Sequence, residues 1–419
     1  MKGRSAVALV TTAVLAVVVA ACGSSSSSTS TGKVSGTSLT VYSSLPLQGG
    51  LSDVTKASNQ GSAMALAAAG GKVGKYTITF KPLDDSTAAA GSWDAGQTTN
   101  NAHTACDSSS TIGYIGEFNS GASAISIPVL NRCGIPQISP SNTAVGLTVA
   151  GNGAAPGEPQ KYYPTGKRTY ARVVPYDVVQ AAAQASLQKS EGCTKTYVLQ
   201  DQEVYGLGLA NNFKTAAPTQ GIKVVGVAAF DPKASNYRSQ AASIPATGAN
   251  CVFLSTIASN NAVELAKDVA AGVPNAKIFS GDGDETDKFF DPKKGGIPTS
   301  LDSRVFLTAP TLSPSSYPPA GQAFFKDYTA KYGKPEVYAI YGYASMSLLL
   351  DALKRASNNG TGSISRAAVD SAIHSTTNLQ SVLGTYSINA NGDTSLKDYG
   401  AYGVKNGSDF FLKTIHAPA

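Results

Sequence analysis

The sequence predicts an α/β protein built on two parallel sheets, and three observations predict it. From Ser38 onward, short β-branched runs alternate with longer Ala-rich helical stretches, the pattern of strand–helix–strand units on a sheet covered on both faces. That order ends in an irregular stretch rich in Gly and Pro (residues 151–166) and at Arg172-Val173-Val174-Pro175, and then begins again. Each half also carries two cysteines placed just before apolar runs. A chain of 419 residues is too long for one ordinary domain, which agrees with two.

Residues 1–21 stand apart from the fold. Lys2 and Arg4 form a positive start, residues 6–19 are apolar apart from Thr11 and Thr12, and Val19-Ala20-Ala21-Cys22 closes the segment. This is the layout of a cleavable signal peptide, too short for a comfortable membrane span. The small residues before Cys22 resemble the bacterial lipobox. That resemblance implies a diacylglycerol on the Cys22 thiol after cleavage; the competing reading is an ordinary secretory signal cut near Ala21. Residues 22–37 hold a Ser-rich, low-complexity run without the apolar side chains that packing requires, and so form a flexible tether. No second run of 18 apolar residues follows.

The elements then come in order. Leu39-Thr40-Val41-Tyr42 is a strand, residues 58–69 a helix ended by Gly70-Gly71, and residues 76–80 a strand. Residues 93–106 form a helix, 112–115 a strand, 121–131 a helix and 136–138 a strand. In the second half, helices over 178–189, 206–217, 237–244 and 261–271 alternate with strands over 196–199, 224–227, 252–254 and 277–279. Three further helices follow, over 318–332, 338–356 and 365–374, with apolar positions every three and four residues. The tail changes character. Residues 384–388 and 399–404 are antiparallel strands, and Asn406-Gly407 signals a hairpin.

The five cysteines bear on compartment and on pairing. With Cys22 set aside, Cys106, Cys133, Cys193 and Cys251 remain, an even number in an exported chain. Arithmetic allows three pairings. Each cysteine stands at the start of a strand, which favours Cys106–Cys133 and Cys193–Cys251 as staples between neighbouring strand starts; four separate buried thiols are the alternative. The formal net charge of +6 includes Lys2 and Arg4, so it falls to about +4 without them, and it forms no basic cluster. That excludes nucleic acid as an expected partner.

Several stretches resemble the type I periplasmic binding proteins, in particular the Leu/Ile/Val-binding branch. The most specific runs from Gly116-Glu117-Phe118-Asn119-Ser120-Gly121-Ala122 to Ile138-Ser139-Pro140-Ser141-Asn142-Thr143. Arg172-Val173-Val174-Pro175-Tyr176-Asp177 looks like the first lobe crossover of that family, and Asp201-Gln202-Glu203-Val204-Tyr205-Gly206 like its second-lobe ligand loop. Gly384-Thr385-Tyr386 with Asn391-Gly392-Asp393 looks like its C-terminal hairpin. The resemblance implies two Rossmann-like lobes joined by three crossover strands. Lobe 1 would be residues 38–173 plus 309–377, and lobe 2 residues 175–307 plus 380–419. It also implies the solute-binding component of an ABC importer. Such a component is a lipid-anchored, extracytoplasmic monomer that closes on an amino acid and then meets a membrane permease.

The residues support such a site independently. In doubly wound sheets ligands bind at the carboxyl ends of strands. Ser120, Ser141, Asn142 and Thr143 fall there, beside helix starts whose free N–H groups suit a carboxylate. Ordinary helix capping explains Ser and Thr at such positions equally well. Tyr205 follows a second-half strand and would close over the ligand. Asp282 in Ser280-Gly281-Asp282-Gly283-Asp284 would pair with an ammonium, with Asp284 as the alternative. Gln48-Gly49-Gly50 would approach through backbone. Ser255-Thr256-Ile257-Ala258-Ser259 departs from the family's usual aromatic after that strand, so an amide or small organic acid stays open as ligand.

Searches for catalysis find nothing. G-x-x-x-x-G-K-[ST] and G-x-S-x-G are absent. His103, His374 and His416 are scattered, no C-x-x-C occurs, and the Asp282 loop lacks the Gly and Glu of an EF-hand. No metal, no cofactor and no enzyme activity are expected. The alternatives are a ligand sensor on the same fold and an extracytoplasmic hydrolase; a cytoplasmic repressor with this fold needs a DNA-binding head, and the expected signal peptide stands in its place.

Overall fold

The computed structural model describes Val34 and residues 36–417. The expected signal peptide, Cys22 and most of the tether lie outside the described residues. Among the described residues no helix is long and apolar enough to cross a membrane.

Two sheets organise the chain. The first runs Lys72–Val73, Tyr76–Asp84, Ser38–Leu45, Thr111–Gly116, Gln137–Ser139, Tyr170–Arg172, parallel throughout except for the short Lys72–Val73 edge. The second runs Lys223–Ala229, Lys195–Gln200, Cys251–Ser255, Lys277–Ser280, Val305–Ala309, then Asp398–Lys405 and Ser408–His416, the last two antiparallel. Leaving out that short edge strand, the five parallel strands of each sheet stand in the order 2-1-3-4-5 by chain position. The recurrence seen in the sequence is therefore a repeat of topology.

Burial explains the residue types. The central strands Ser38–Leu45, Thr111–Gly116 and Cys251–Ser255 are buried along nearly their whole length, and Cys251–Ser255 reads as a nearly continuous apolar run. The edge strand Lys223–Ala229 is only partly buried. Helices cover both faces, with separate apolar clusters around Val41 and Tyr42 on the first sheet and around Val252 and Phe253 on the second.

The chain passes between the sheets three times: after Tyr170–Arg172, after Val305–Ala309, and before Asp398–Lys405. The sequence reading puts the tail from Gln380 onward with the second sheet. Val382, Leu383, Tyr386 and Ile388 instead pack in the core of the first sheet, and only the segment from Asp398 joins the second. The hairpin Leu379–Ser381/Gly384–Tyr386 is too short to bury its own apolar side chains and uses the nearer core. The Val305–Ala309 strand has no counterpart in the sequence reading.

The disulfides are Cys106–Cys133 and Cys193–Cys251, as their positions favour. Each joins chain segments that start neighbouring strands. Closing loops of this length stabilises a fold by about 3–4 kcal/mol, mainly by restricting the unfolded chain.

Candidate functional site

The switch point of a 2-1-3-4-5 sheet lies between strands 1 and 3, where the connections leave in opposite directions and open a crevice at the carboxyl ends. Here both sheets turn that edge toward one narrow cavity of about 20 Å³, roughly room for one water. Phe118, Asn119, Ser120, Gly121 and Ser141 line it from the first sheet. Glu203, Tyr205, Ile257, Asp282 and Gly283 line it from the second, and Tyr338 stands at the side.

The first-sheet wall is a helix start left open. Ser120 is the first residue of the helix Ser120–Arg132, and Asn119 at its cap makes no side-chain capping bond. The Asn119 Oδ1 is buried without a hydrogen-bond partner among the described residues. Ser120 Oγ accepts from the Ala144 N–H at 3.4 Å and so does not cap its own helix. The capping alternative is thus not what these side chains do, and the N–H groups of the first turn, with their partial positive charge, face the cavity region. Ser141 donates through Oγ to the Phe118 carbonyl at 2.8 Å, tying the two first-sheet loops together.

Arg172 holds these loops from behind. Its fully buried guanidinium pairs with Asp393 at 2.8 Å. It also donates to the Asn142 and Ala144 carbonyls at 3.1 and 2.8 Å. Thr148 completes the arrangement by donating to Asp393. The crossover motif and the C-terminal hairpin motif therefore meet in one buried ion pair that fixes the 142–144 turn.

The second-sheet wall centres on Asp282. Tyr205 donates to its Oδ1 at 2.7 Å, and Tyr338 donates to its Oδ2. The Gly283 N–H donates to the Tyr205 oxygen at 3.3 Å. Burial raises the Asp282 carboxyl above its ordinary range, while the two phenols and Gln180 hold it down. A Cβ on Gly283 would lie 2.5 Å from the Thr256 carbonyl and 2.9 Å from the Tyr205 ring, so this turn accepts only glycine without shifting. The Phe118 and Tyr338 rings meet edge to face, 5.1 Å between centroids.

Of the sequence-predicted residues, Ser120, Ser141, Tyr205 and Asp282 share the cavity. Asn142 and Thr143 stand behind it. Asn142 is fully buried, donating to the Phe118 carbonyl at 2.7 Å and accepting from Tyr170 at 3.0 Å. The Thr143 hydroxyl lies beside the Asp177 carboxyl, which burial pushes up to about 8 and which Thr143 holds down. Asp284 turns inward to the Ser280 hydroxyl. Gln48 binds Asp84 at 2.8 Å and does not line the cavity. The Gly49 carbonyl accepts from Lys288 at 2.7 Å, and a Cβ on Gly50 would stand 3.0 Å from Ser259, so this loop meets the second half at the rim. Phe118, Glu203 and Tyr338 were not singled out from sequence. Burial raises Glu203 to about 7, and the nearby Asp201 charge adds to the rise. Its Oε2 lies 3.2 Å from where a Cβ on Gly121 would be. The four cysteines are taken up in disulfides, and among the described residues no cluster of three His, Cys, Asp or Glu is placed to hold a metal.

A family profile described as periplasmic binding protein matches residues 43–408. A protein of Pseudomonas aeruginosa described as an amino acid binding protein is 24% identical over 296 residues, 71% of this chain and 72% of that protein. A leucine binding protein from Thermotoga maritima superposes with a TM-score of 0.77 at 23% identity, over 90% of this chain and 99% of the other. A solute binding protein of an R. palustris ABC transporter, solved with benzoate, superposes with a TM-score of 0.72 at 20% identity, over 91% and 97%.

Proposed function

This chain belongs to the periplasmic binding protein family, and from that membership we propose that it is the extracytoplasmic solute-binding component of an ABC importer, taking an amino acid, branched-chain or similar, between two lobes. The observation that carries the proposal is the convergence of Ser120 and Ser141 with Tyr205 and Asp282 on one crevice between twin sheets. The lobes follow the sheets, with the last crossing near Asp398. Opening about the three crossings admits the ligand. Its carboxylate meets the open N–H groups at Ser120 and Gly121 and the Ser141 hydroxyl; its ammonium meets Asp282, displacing a phenol. Closure presents a joined surface of both lobes to a permease. The protein acts as a monomer held to the membrane through Cys22, and it binds without catalysing.

A second reading has one observation in its favour. Both Asp282 oxygens are already taken by phenols, and Phe118, Tyr205 and Tyr338 give the crevice aromatic walls. An aromatic carboxylate would use the helix start and leave Asp282 undisturbed.

Thermal shift of the purified protein with leucine, isoleucine, benzoate and 4-hydroxybenzoate decides between them. A ligand at about 100 times its Kd adds about 2.7 kcal/mol to the folded state. Leucine or isoleucine should raise Tm, and Ser141→Ala and Asp282→Asn should each abolish most of the rise. A rise with the benzoates alone, unaffected by Asp282→Asn, selects the second reading. No response to any of the four, extended to the remaining amino acids, defeats the amino-acid proposal.

A further inference from the structure

Apart from the crevice the structure holds a second cavity, larger than the first at about 250 Å³. It is bounded on one side by residues of the second sheet's layer, including Glu285, Asp287 and Asp409, and on the other by Leu312, Glu336 and Val337 of the first. Its lining includes the apolar side chains of Phe290, Leu312, Val337 and Phe411.

The charges around it do not balance. Four carboxyls line the cavity, those of Glu285, Asp287, Glu336 and Asp409. Lys334 pairs with Asp409 at 3.1 Å and Asp287 at 3.5 Å. Lys294 pairs with Asp287 at 3.1 Å and, outside the cavity, Asp53 at 3.7 Å. Both cations are thus engaged with the aspartates, and neither is paired with a glutamate. Glu285 is only 5% exposed, and its Oε2 has no hydrogen-bond partner among the described residues. Burying a carboxyl in this state costs free energy unless it takes up a proton or meets a cation. The aspartates already hold the lysines, so the missing partner is a further positive charge, and the apolar lining asks for a hydrocarbon part on the same molecule.

We infer that this cavity is a second ligand site, for a small organic monoammonium compound whose ammonium sits between Glu285 and Glu336 and whose alkyl or aryl part covers Phe290, Leu312 and Val337. Burial and the neighbouring acids raise Glu285 strongly and Glu336 to about 7, against the pull of Lys334, so without such a ligand Glu336 is partly protonated near neutral pH. Binding of the ammonium therefore expels protons near neutral pH, and affinity rises with pH from 6 to 8 while the amine stays charged. The walls adjoin the first crevice through the chain itself, since Glu285 follows the Asp282–Asp284 turn and Val337 precedes Tyr338.

Calorimetric titration of the purified protein with benzylammonium tests this, with benzyl alcohol as the uncharged twin. The expected result is saturable one-to-one binding of benzylammonium, none of benzyl alcohol, and heats at pH 7 that differ between phosphate and Tris as proton release requires. Glu285→Gln and Glu336→Gln should each weaken binding at least tenfold. Ser313→Trp, which adds bulk at a lining residue that carries no carboxyl, should weaken it too and serves if a glutamine variant fails to fold. Absence of saturable binding overturns the inference. So does binding that survives both glutamine variants and Ser313→Trp, or binding abolished by Asp282→Asn, which would place the amine in the first crevice.

Discussion

Glu203 shows what a single residue adds to the crevice. Its carboxyl approaches the helix start at Gly121, the place suited to a ligand carboxylate, and it carries a proton up to about pH 7 because it is buried near Asp201. Once ionised, it sets a negative charge beside the bound anion. A carboxylate ligand should therefore lose roughly tenfold in affinity between pH 6 and pH 8, about 1.4 kcal/mol. Glu203→Gln should flatten that dependence while keeping the affinity seen at pH 6. Titrations of both proteins at the two pH values check it, and an equal slope in both would remove Glu203 from the site. Sequence made Tyr205 visible because it stands in a recognisable loop, and the same loop contained Glu203. Nothing in the pattern said that a charged residue two positions earlier would turn inward. Phe118 and Tyr338 were hidden for a different reason: aromatic residues at a strand end or a helix start read as core until the opposing wall is known.

At the scale of elements, the contact between the helices Ser52–Ala68 and Ala339–Ala356 sets the position of Tyr338, which stands just before the second of them. The two backbones approach closely because glycine faces backbone on both sides. A Cβ on Gly61 would lie 2.0 Å from the Ala339 carbonyl oxygen, and one on Gly342 would lie 1.9 Å from that of Ser58. Ser62 adds a hydrogen bond to the Gly342 carbonyl at 2.9 Å. Gly342→Ala should therefore force the helices apart, costing about 1–3 kcal/mol by overpacking. It should also weaken ligand binding through Tyr338. Gly96→Ala, on an exposed helical face where an added Cβ would meet only the Asp94 side chain at 3.2 Å, should cost much less. Urea unfolding of the two variants makes the comparison, and similar midpoints would refute the seam. Sequence carried most of the elements because buried parallel strands and amphipathic helices have strong periodic signatures. It carried the disulfide pairing because neighbouring parallel strands begin at the same edge of a sheet. It missed the seam, since a glycine within a helical run signals only a local cost, and its benefit lies on a partner some 280 residues away. It also missed where the tail crosses, because the destination of a short hairpin depends on which core is nearer.

The molecule as a whole buries an unusual set of carboxyls around its two cavities and beneath the first-sheet loops, and this makes its stability depend on pH in one direction. Asp85 and Glu117 lie fully buried against each other, and burial together with their mutual repulsion raises Asp85 so that the pair retains a proton. Burial raises Asp177 to about 8 and Glu203 and Glu336 to about 7, and it raises Asp284 and Glu285 strongly. In the unfolded chain these groups titrate near 3.8 for Asp and 4.5 for Glu. The folded state thus holds protons that the unfolded state has lost, so this contribution is whole below about pH 4 and disappears as pH rises through 7 and 8. Asp84, Glu158 and Asp287 are held below their ordinary values by hydrogen bonds and lysines, and their contribution is lost only under more acid conditions. Together these place the stability maximum in mild acid. Calorimetric scans in steps from pH 5 to pH 9 should show Tm highest near 5 and falling from there through 8. The fall should be shallower in Glu117→Gln, where a neutral amide replaces the group whose proton is at stake. A Tm that holds level or climbs from pH 6 to 9 would mean that the buried carboxyls are neutralised by some means other than protons.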